Sequence, residues 1–358
     1  MPSLKEIKVR INSISSTLAI TSAMKMVAAA KLQKAQMAIQ NMLPYERRLY
    51  SMLVDLMGAM NISAAASEDG SVRGSGSAER GFDQSGDRLS LSNRHDLAGM
   101  DGAYSLMAQR EVRKVAIVAF ASNSSLCGAF NSNVIREATA VINEYRASGL
   151  RDSDIVVYSV GRKMAEAMRK LGFPSPADFT KMSDSPSYEA ASALAQELLD
   201  GFVSGRFDKV ELVYNHYKST SSQPTTRQTY LPLSLADATA DLQAGKIADS
   251  ASESDTNRGA ETVGAPVVRQ GSPTTEDLIV EPSKEALIAT LLPKVIRLRI
   301  FTTLLDSAAA EHAARTVAMQ LATDNGNDLL QELTLEYNKG RQQKITSEIL
   351  DLVGGSMQ

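Results

Sequence analysis

The chain has 358 residues, enough for one large domain or two ordinary ones. Hydrophobic residues make up 43% of it, aromatic residues only 5%, and tryptophan is absent, a balance that favours long helices over an aromatic-rich β-sandwich. The formal net charge of −3 argues against a protein that coats nucleic acid over its whole surface.

Cysteine content and hydropathy favour a soluble, cytoplasmic protein. Cys127 is the sole cysteine, which excludes an internal disulfide. The first residues lack the apolar core of a secretory signal, and no stretch approaches the roughly 20 apolar residues of a membrane span. Binding to a membrane partner would still hold such a protein at a membrane.

Residues 1–60 are predicted to form an N-terminal coiled-coil helix, beginning at residue 3. Apolar residues recur at alternating steps of three and four, the a/d seam of helix-on-helix packing. The seam residues are Leu4, Ile7, Ile11, Ile14, Leu18, Ala28, Leu32, Ala35, Ile39, Met42, Leu49, Leu53, Leu56 and Met60. At a rise of about 1.5 Å per residue the helix would be about 85 Å long, too long for a compact domain.

This predicted helix has a clear start and three irregular positions. Ser3 followed by Glu6 fits a capping box. Thr21 and Lys25 interrupt the apolar seam. Pro44 is expected to kink the helix or to end it locally, because proline has no backbone N–H.

Residues 61–110 and 236–277 are predicted to be flexible insertions. Both are polar and aperiodic, and the first is rich in glycine and serine. Between them, residues 111–235 alternate strand and helix patterns, which predicts a Rossmann-like α/β domain with a largely parallel sheet that can end in an antiparallel edge. The predicted strands are 114–122, 154–160, 209–219 and 225–233, and the predicted helices are 131–148, 161–171 and 187–204.

Residues 278–358 are predicted to form the C-terminal coiled-coil helix, from 283 to 353, with Gly354 and Gly355 ending it. Its seam runs through Ile296, Ile300, Thr303, Ser307, Ala310, Ala314, Val317 and Leu321. The seam slips across the polar stretch 322–328, and is predicted to resume near Leu335 and to run through Ile345, Ile349 and Leu352. Neither long helix can bury its seam alone, so we predict an antiparallel coiled coil with the α/β domain beside one end.

No catalytic, cofactor-binding or metal site is predicted. The loop 122–131 lies between a strand and a helix, where phosphate loops occur, but it lacks GxxxxGK[ST] and GxGxxG, so a structural turn is favoured. Cys127 is interpreted as an inert, half-buried thiol, since His216 and His312 lie in unrelated elements. The three histidines show no metal-ligand spacing.

Charge leaves alternatives open. Residues 1–50 carry eight basic and two acidic side chains. A DNA-associated coiled-coil scaffold would use such a basic helix, although residues 1–44 contain no aromatic side chain that could stack on bases. A basic shaft that passes acidic partner surfaces fits as well. An α/β enzyme that binds a nucleotide is the third alternative.

Three separate segments resemble the ATP synthase γ subunit family. They are ITSAMKMVAAAKLQKAQ at 20–36, LCGAFN at 126–131, and the segment 311–346 followed by EILDLVGG. The sequence departs from the family at Lys25, where an acidic residue is common, and at Ala129, where glycine is usual. It departs again at Gly340, where alanine is usual and glycine would cost about 1 kcal/mol of helix propensity.

The resemblance implies a non-catalytic rotor subunit of a bacterial F-type ATP synthase, present once per complex. Its implied partners are the α and β subunits, the ε subunit and the membrane c-ring, with no nucleic acid. Its implied place is the cytoplasmic face of the inner membrane, as a peripheral protein. The two insertions would lie outside the bore of the hexamer, because a flexible loop inside it would block rotation.

The resemblance also implies five contacts with β subunits. Arg341, Gln342 and Thr346 would engage a β-subunit loop, while Met24 and Lys25 would lie on the facing helix near the moving lever of β. The competing interpretation is that the first three are ordinary solvated helix residues and that Met24 serves packing.

Overall fold

The computed structural model describes residues 3–68, 106–107, 110–233, 281 and 283–355. Most of the predicted insertion 61–110 and all of 236–277 lie outside the described residues. The elements in chain order are α1 (Leu4–Glu68), β1 (Val115–Phe120), α2 (Phe130–Ala147), a 3-10 turn (Asp152–Asp154), β2 (Ile155–Val160), α3 (Arg162–Lys170), α4 (Thr180–Asp184), α5 (Tyr188–Val203), β3 (Lys209–Asn215), β4 (Thr225–Leu231) and α6 (Lys284–Gly355).

The central sheet has the strand order β2-β1-β3-β4. β1 pairs in parallel with β2 and with β3, whereas β4 pairs antiparallel with β3 and forms one edge. Successive side chains of β1 point to opposite faces, so Val115, Ile117 and Ala119 pack on α2 and α3. The alternate residues of β1 pack on α5 and on the two long helices. The predicted α/β fold with an antiparallel edge is confirmed.

The two long helices form an antiparallel pair. Leu4 packs on Gly340 and Leu18 packs on Gly326, so fourteen residues along α1 match fourteen residues back along α6. The hydroxyl of Thr323 donates to the hydroxyl of Thr21 at 3.1 Å. At about 1.5 Å per residue, the 72 residues of α6 make a rod of about 108 Å. The predicted antiparallel coiled coil is confirmed.

Three parts of this coil differ in their surroundings, and we name them here. The lower coil, residues 42–56 of α1 and 288–305 of α6, shares one apolar core with the sheet and α5. The upper coil, residues 4–32 of α1 and 309–340 of α6, consists of the two helices packed on each other, with the domain touching α6 in the first part of this range, at residues that include Ala310 and Arg315. The tip is residues 341–353 of α6.

The start of α1 follows its prediction, and its end does not. Ser3 and Glu6 form the capping box, with Ser3 N donating to Glu6 Oε2 at 3.0 Å and Glu6 N donating to Ser3 Oγ at 3.3 Å. Pro44 does not end the helix, because packed seam residues such as Leu49 and Leu53 hold the chain in register after it. The helix continues to Glu68, so the predicted end at residue 60 was too early.

Candidate functional site

The seam of α6 in the upper coil is continuous, so the prediction that it slips across residues 322–328 is wrong. It runs through Met319, Thr323, Gly326, Leu330, Leu333, Tyr337 and Gly340, all of them buried or half-buried. The seam therefore passes straight through the polar stretch 322–328. Leu321 and Leu335, which were predicted on the seam, are 57% and 68% exposed. The reason is that small residues, Thr323 and Gly326, occupy the inner positions across the polar stretch and let α1 approach closely there.

The tip extends past the start of α1. Leu4 is the first residue of α1 and packs against Gly340, so no part of α1 accompanies residues 341–353. Ile345, Ile349 and Leu352 are 48%, 54% and 74% exposed, and their predicted seam role is wrong, because α1 has no residue opposite them. Leu350 and Val353 are exposed as well. Clustered apolar exposure of this kind marks a protein-binding surface.

Three of the five predicted contact residues lie on this tip. Arg341, Gln342 and Thr346 are all exposed. The hydroxyl of Thr346 donates to the carbonyl oxygen of Gln342 at 2.9 Å, which places both residues on one helical face. Within the described part of the chain, no hydrogen bond or ion pair engages the side chains of Arg341 and Gln342. Their polar groups are therefore available to a partner.

Met24 and Lys25 lie at a different level of the coil. Both are half-buried on α1, close to Thr21, which contacts Thr323. Twenty residues separate Met24 from Leu4 at the tip end, about 30 Å along the helix. The structure therefore places the two predicted groups, Arg341, Gln342 and Thr346 on one side and Met24 and Lys25 on the other, about 30 Å apart along the coil.

The loop 122–131 is filled by its own side chains. Ser122 Oγ donates to Asn131 Oδ1 at 3.0 Å, and Asn131 Nδ2 lies 3.1 Å from Cys127 Sγ. Cys127 is only 1% exposed, so it is more deeply buried than predicted. Ala129 has φ of −85°, which any residue adopts, and this explains why the usual family glycine is not required at that position.

The loop is tied to α6 by a buried ion pair that sequence reasoning missed. Arg315 donates to the carbonyl oxygen of Ser125 and to Glu311 Oε1, both at 2.7 Å. Burial raises the pKa of Glu311, although Arg315 opposes the rise. The spacing of four residues on one helix was a signal for the pair, but nothing in the sequence indicated its burial.

His312 lies beside this ion pair and is kept neutral. Burial, together with the positive charges of Lys31 and Arg315, lowers the pKa of His312 to about 4. Its Nδ1 atom is buried and has no hydrogen-bond partner among the described residues. The ring therefore packs as a neutral group near pH 7.

A second connection joins the β3–β4 hairpin to both long helices. His216 Nδ1 lies 2.6 Å from Asp306 Oδ2, and Tyr217 N donates to Asp306 Oδ1 at 2.9 Å. The hydroxyl of Tyr217 accepts a hydrogen bond of 2.6 Å from Gln36 Nε2 on α1. We call residues 216–224 the strap. Sequence reasoning missed the strap, because its partners are about 90 and 180 residues away along the chain.

The described residues contain no group of three or more His, Cys, Asp or Glu side chains that could hold a metal ion. None of their helices combines the length and the apolar character that crossing a membrane requires.

Comparison with known proteins identifies the family. Residues 3–357 match the protein family described as ATP synthase. The chain is 46% identical over 357 residues to the ATP synthase gamma chain of Phocaeicola vulgatus, with 100% of both chains covered. It is 45% identical over 358 residues to that of Bacteroides thetaiotaomicron, again with 100% of both chains covered. The chain belongs to the ATP synthase gamma chain family. Both alignments extend across the two predicted insertions.

Solved structures agree with the gamma chain fold. One match is a chain of Euglena gracilis mitochondrial ATP synthase, from an OSCP/F1/c-ring structure in rotational state 3. It gives a TM-score of 0.54 at 18% identity, and the match covers 99% of this chain and 93% of the Euglena chain. A chain of the rotor of Euglena gracilis mitochondrial ATP synthase in rotational state 1 gives a TM-score of 0.51 at 18% identity, and the match covers 96% of this chain and 98% of the Euglena chain. At this identity the likeness bears on the fold.

Family membership confirms the rotor function implied by the sequence. A gamma chain is a non-catalytic subunit of the central stalk, and catalysis takes place in the β subunits. The alternatives of a coiled-coil scaffold, a DNA-associated protein and a nucleotide-binding enzyme are not supported. The F1 part of an ATP synthase, to which a gamma chain belongs, is a peripheral membrane-associated complex.

Proposed function

We propose that this chain is the rotating shaft that couples proton flow to ATP synthesis at the cytoplasmic face of a bacterial inner membrane. The upper coil and the tip would fill the axis of a hexamer of α and β subunits. The α/β domain and the lower coil would rest on the ring of c subunits beside ε, with one shaft per complex. The observation that carries this proposal is the shape, a rod of about 108 Å with a single domain beside one end.

The asymmetry of the shaft supplies the mechanism. Two helices and an unpaired tip have no three-fold symmetry, so a shaft of this kind contacts three equivalent catalytic sites unequally. Each orientation would stabilise a different combination of open and closed sites, and rotation would pass each site through these states in turn. The shaft would transmit energy by contacting the open and closed states of a site with different strength, because a partner that binds all states equally shifts none of them.

The exposed residues of the tip support a polar contact with a β-subunit loop. Arg341 offers a planar set of donors that matches a carboxylate, and no described residue of this chain occupies it. Gln342 and Thr346 share a helical face, so we assign all three to one contact. Met24 and Lys25, about 30 Å further along the coil, would contact the moving lever of β at a second height.

Replacing Arg341 and Gln342 together with alanine tests this assignment. We expect ATP-driven proton pumping in membrane vesicles to fall severalfold, or the complex to fail to assemble around a normally folded chain. The matched control replaces Gln331 and Glu332 with alanine, two exposed neighbours on the same helix beside α1. Pumping and assembly at the wild-type level in the Arg341/Gln342 variant would contradict the assignment and would leave the shape of the shaft to bear the torque.

A further inference from the structure

The strap lies where the coil leaves the α/β domain. Below it, the lower coil shares a continuous apolar core with the sheet, reaching up to Leu49 and Leu304. Above it, the two helices of the upper coil pack on each other, and the loop 122–131 adds contacts to α6 at Ala310 and Arg315. Torque that enters at the domain therefore reaches the upper coil through the lower coil, through the strap, and through the contact of the loop 122–131 with α6.

Tyr217 is wedged between three parts of the molecule. It packs against the cluster of Leu32, Ala309 and Ala313, which joins α1 to α6. It also packs against the cluster of Cys127, Phe130 and Ala310, which joins the domain to α6. Tyr217 therefore contacts both clusters.

Hydrogen bonds within the strap make it stiff, so a force on Tyr217 is transmitted to the strands of the sheet. Ser219 and Ser222 exchange backbone hydrogen bonds of 3.1 and 3.2 Å across the turn. Gln223 Nε2 donates to the carbonyl oxygens of Ser219 and Thr220 at 3.0 and 2.6 Å. His216 N donates to the carbonyl oxygen of Pro224 at 2.9 Å, which closes the hairpin at its base. A connection bonded in this way resists bending more than an open loop does.

The strap holds the two helices by different bonds. Asp306 on α6 accepts from the ring of His216 and from the backbone of Tyr217, whereas Gln36 on α1 donates to the Tyr217 hydroxyl. Building on the proposed rotor function, we propose that the strap is a joint that makes α1 and α6 turn together with the α/β domain at the level above the lower coil. Its residues are positioning residues, since they act on the coil and on no substrate.

The bond between His216 of the strap and Asp306 of α6 depends on pH. The hydrogen bond and the negative charge of Asp306 raise the pKa of His216 above its ordinary value of 6.5, while Lys218 of the strap itself and partial burial oppose the rise. A histidine with a raised pKa holds its ion pair fully below pH 6.5 and loses it as the pH rises through the raised value. The joint should therefore loosen at alkaline pH.

The test is the angular spread of a probe fixed to the α/β domain in an immobilised, assembled enzyme that is paused without nucleotide. For the Tyr217→Ala variant we expect a spread severalfold larger in variance than for wild type. The matched control is Tyr188→Ala, which removes a more exposed tyrosine outside the strap whose ring packs edge-on against Phe301 of α6. We expect the control to behave as wild type. An unchanged spread in Tyr217→Ala would overturn the proposal.

Milder variants keep the test decisive if Tyr217→Ala fails to assemble. The wild-type spread should widen as the pH rises above 6.5 through the raised pKa of His216. His216→Gln should give a spread that does not change with pH, and His216→Lys, which stays charged, should keep the narrow spread at alkaline pH. A pH response in His216→Gln equal to that of wild type would refute the joint. Wild-type enzyme that hydrolyses ATP without any rotation would instead refute the proposed function, so the two failures are distinguishable.

Discussion

The lower and upper coils are made from the same two helices but are stabilised in different ways. In the lower coil, Leu53, Leu292 and Ile296 are fully buried between the partner helix, the sheet and α5. In the upper coil, the seam is a single row in which Gly326 and Gly340 let α1 approach, while Ile20 and Met26 stay more than half exposed. The lower coil is thus covered by other elements of its own chain, whereas the upper coil leaves apolar side chains exposed for contact with partner subunits.

The largest expected effect comes from a substitution in the buried core of the lower coil. Leu53→Ala should lower the free energy of unfolding by about 2–5 kcal/mol, because the cavity is enclosed on all sides. Leu333→Ala in the upper coil should cost only roughly 1–2 kcal/mol, because a single neighbouring helix covers that side chain. Melting of the purified full-length chain measures both. Equal losses would show that the two coils are equally enclosed.

A smaller effect distinguishes the two seam glycines. An added Cβ at Gly326 would lie 2.6 Å from Leu18 Cδ2, whereas one at Gly340 would lie 3.1 Å from Leu4 Cδ2. Alanine gains about 1 kcal/mol of helix propensity at either position. We expect Gly340→Ala to raise the melting temperature and Gly326→Ala to lower it. Adding Leu18→Ala to Gly326→Ala should recover part of the loss. A higher melting temperature for Gly326→Ala alone would show that Leu18 yields freely.

The smallest expected effect uses pH and two histidines near the boundary between the coils. The side chain of His312 faces Lys31, Arg315 and Asp184, and its pKa is lowered to about 4. Its contribution to the stability of the folded chain therefore grows as the pH rises from 4 towards 6.5. His216 acts in the opposite sense above 6.5, because its pKa is raised. His312→Gln should flatten the acidic limb of melting temperature against pH, and His216→Gln the alkaline limb. A variant that flattens the other limb would contradict the assignment.

Much of this fold could be predicted from the sequence, because burial and spacing agree where apolar residues form the seam. The alternation of strand and helix located the α/β domain, and the three-and-four spacing from Leu4 to Leu56 located α1. The prediction failed in α6 after residue 319. There Thr323, Gly326 and Gly340 share the inner positions with Leu330, Leu333 and Tyr337, and small residues carry no hydrophobic signal. The exposed Leu321 and Leu335 were therefore assigned to the seam in error.

The site was less predictable for a different physical reason. Family resemblance named Arg341, Gln342 and Thr346, and their partners belong to other chains, so they stay predictions. The strap and the Arg315–Ser125 contact join residues that are far apart along the chain, and no local pattern marks such pairs. Their geometry becomes visible only when the hairpin, the loop and the coil are seen together.

The most direct test of the account is to watch the α/β domain of the assembled enzyme while it hydrolyses ATP. The hexamer would be immobilised and a probe attached to the exposed side of α3, for example at Lys170, far from the coil. We predict that the domain turns in one direction relative to the hexamer, in three equal steps per revolution. ATP hydrolysis at the normal rate with a stationary domain would contradict the claim that this chain is the shaft.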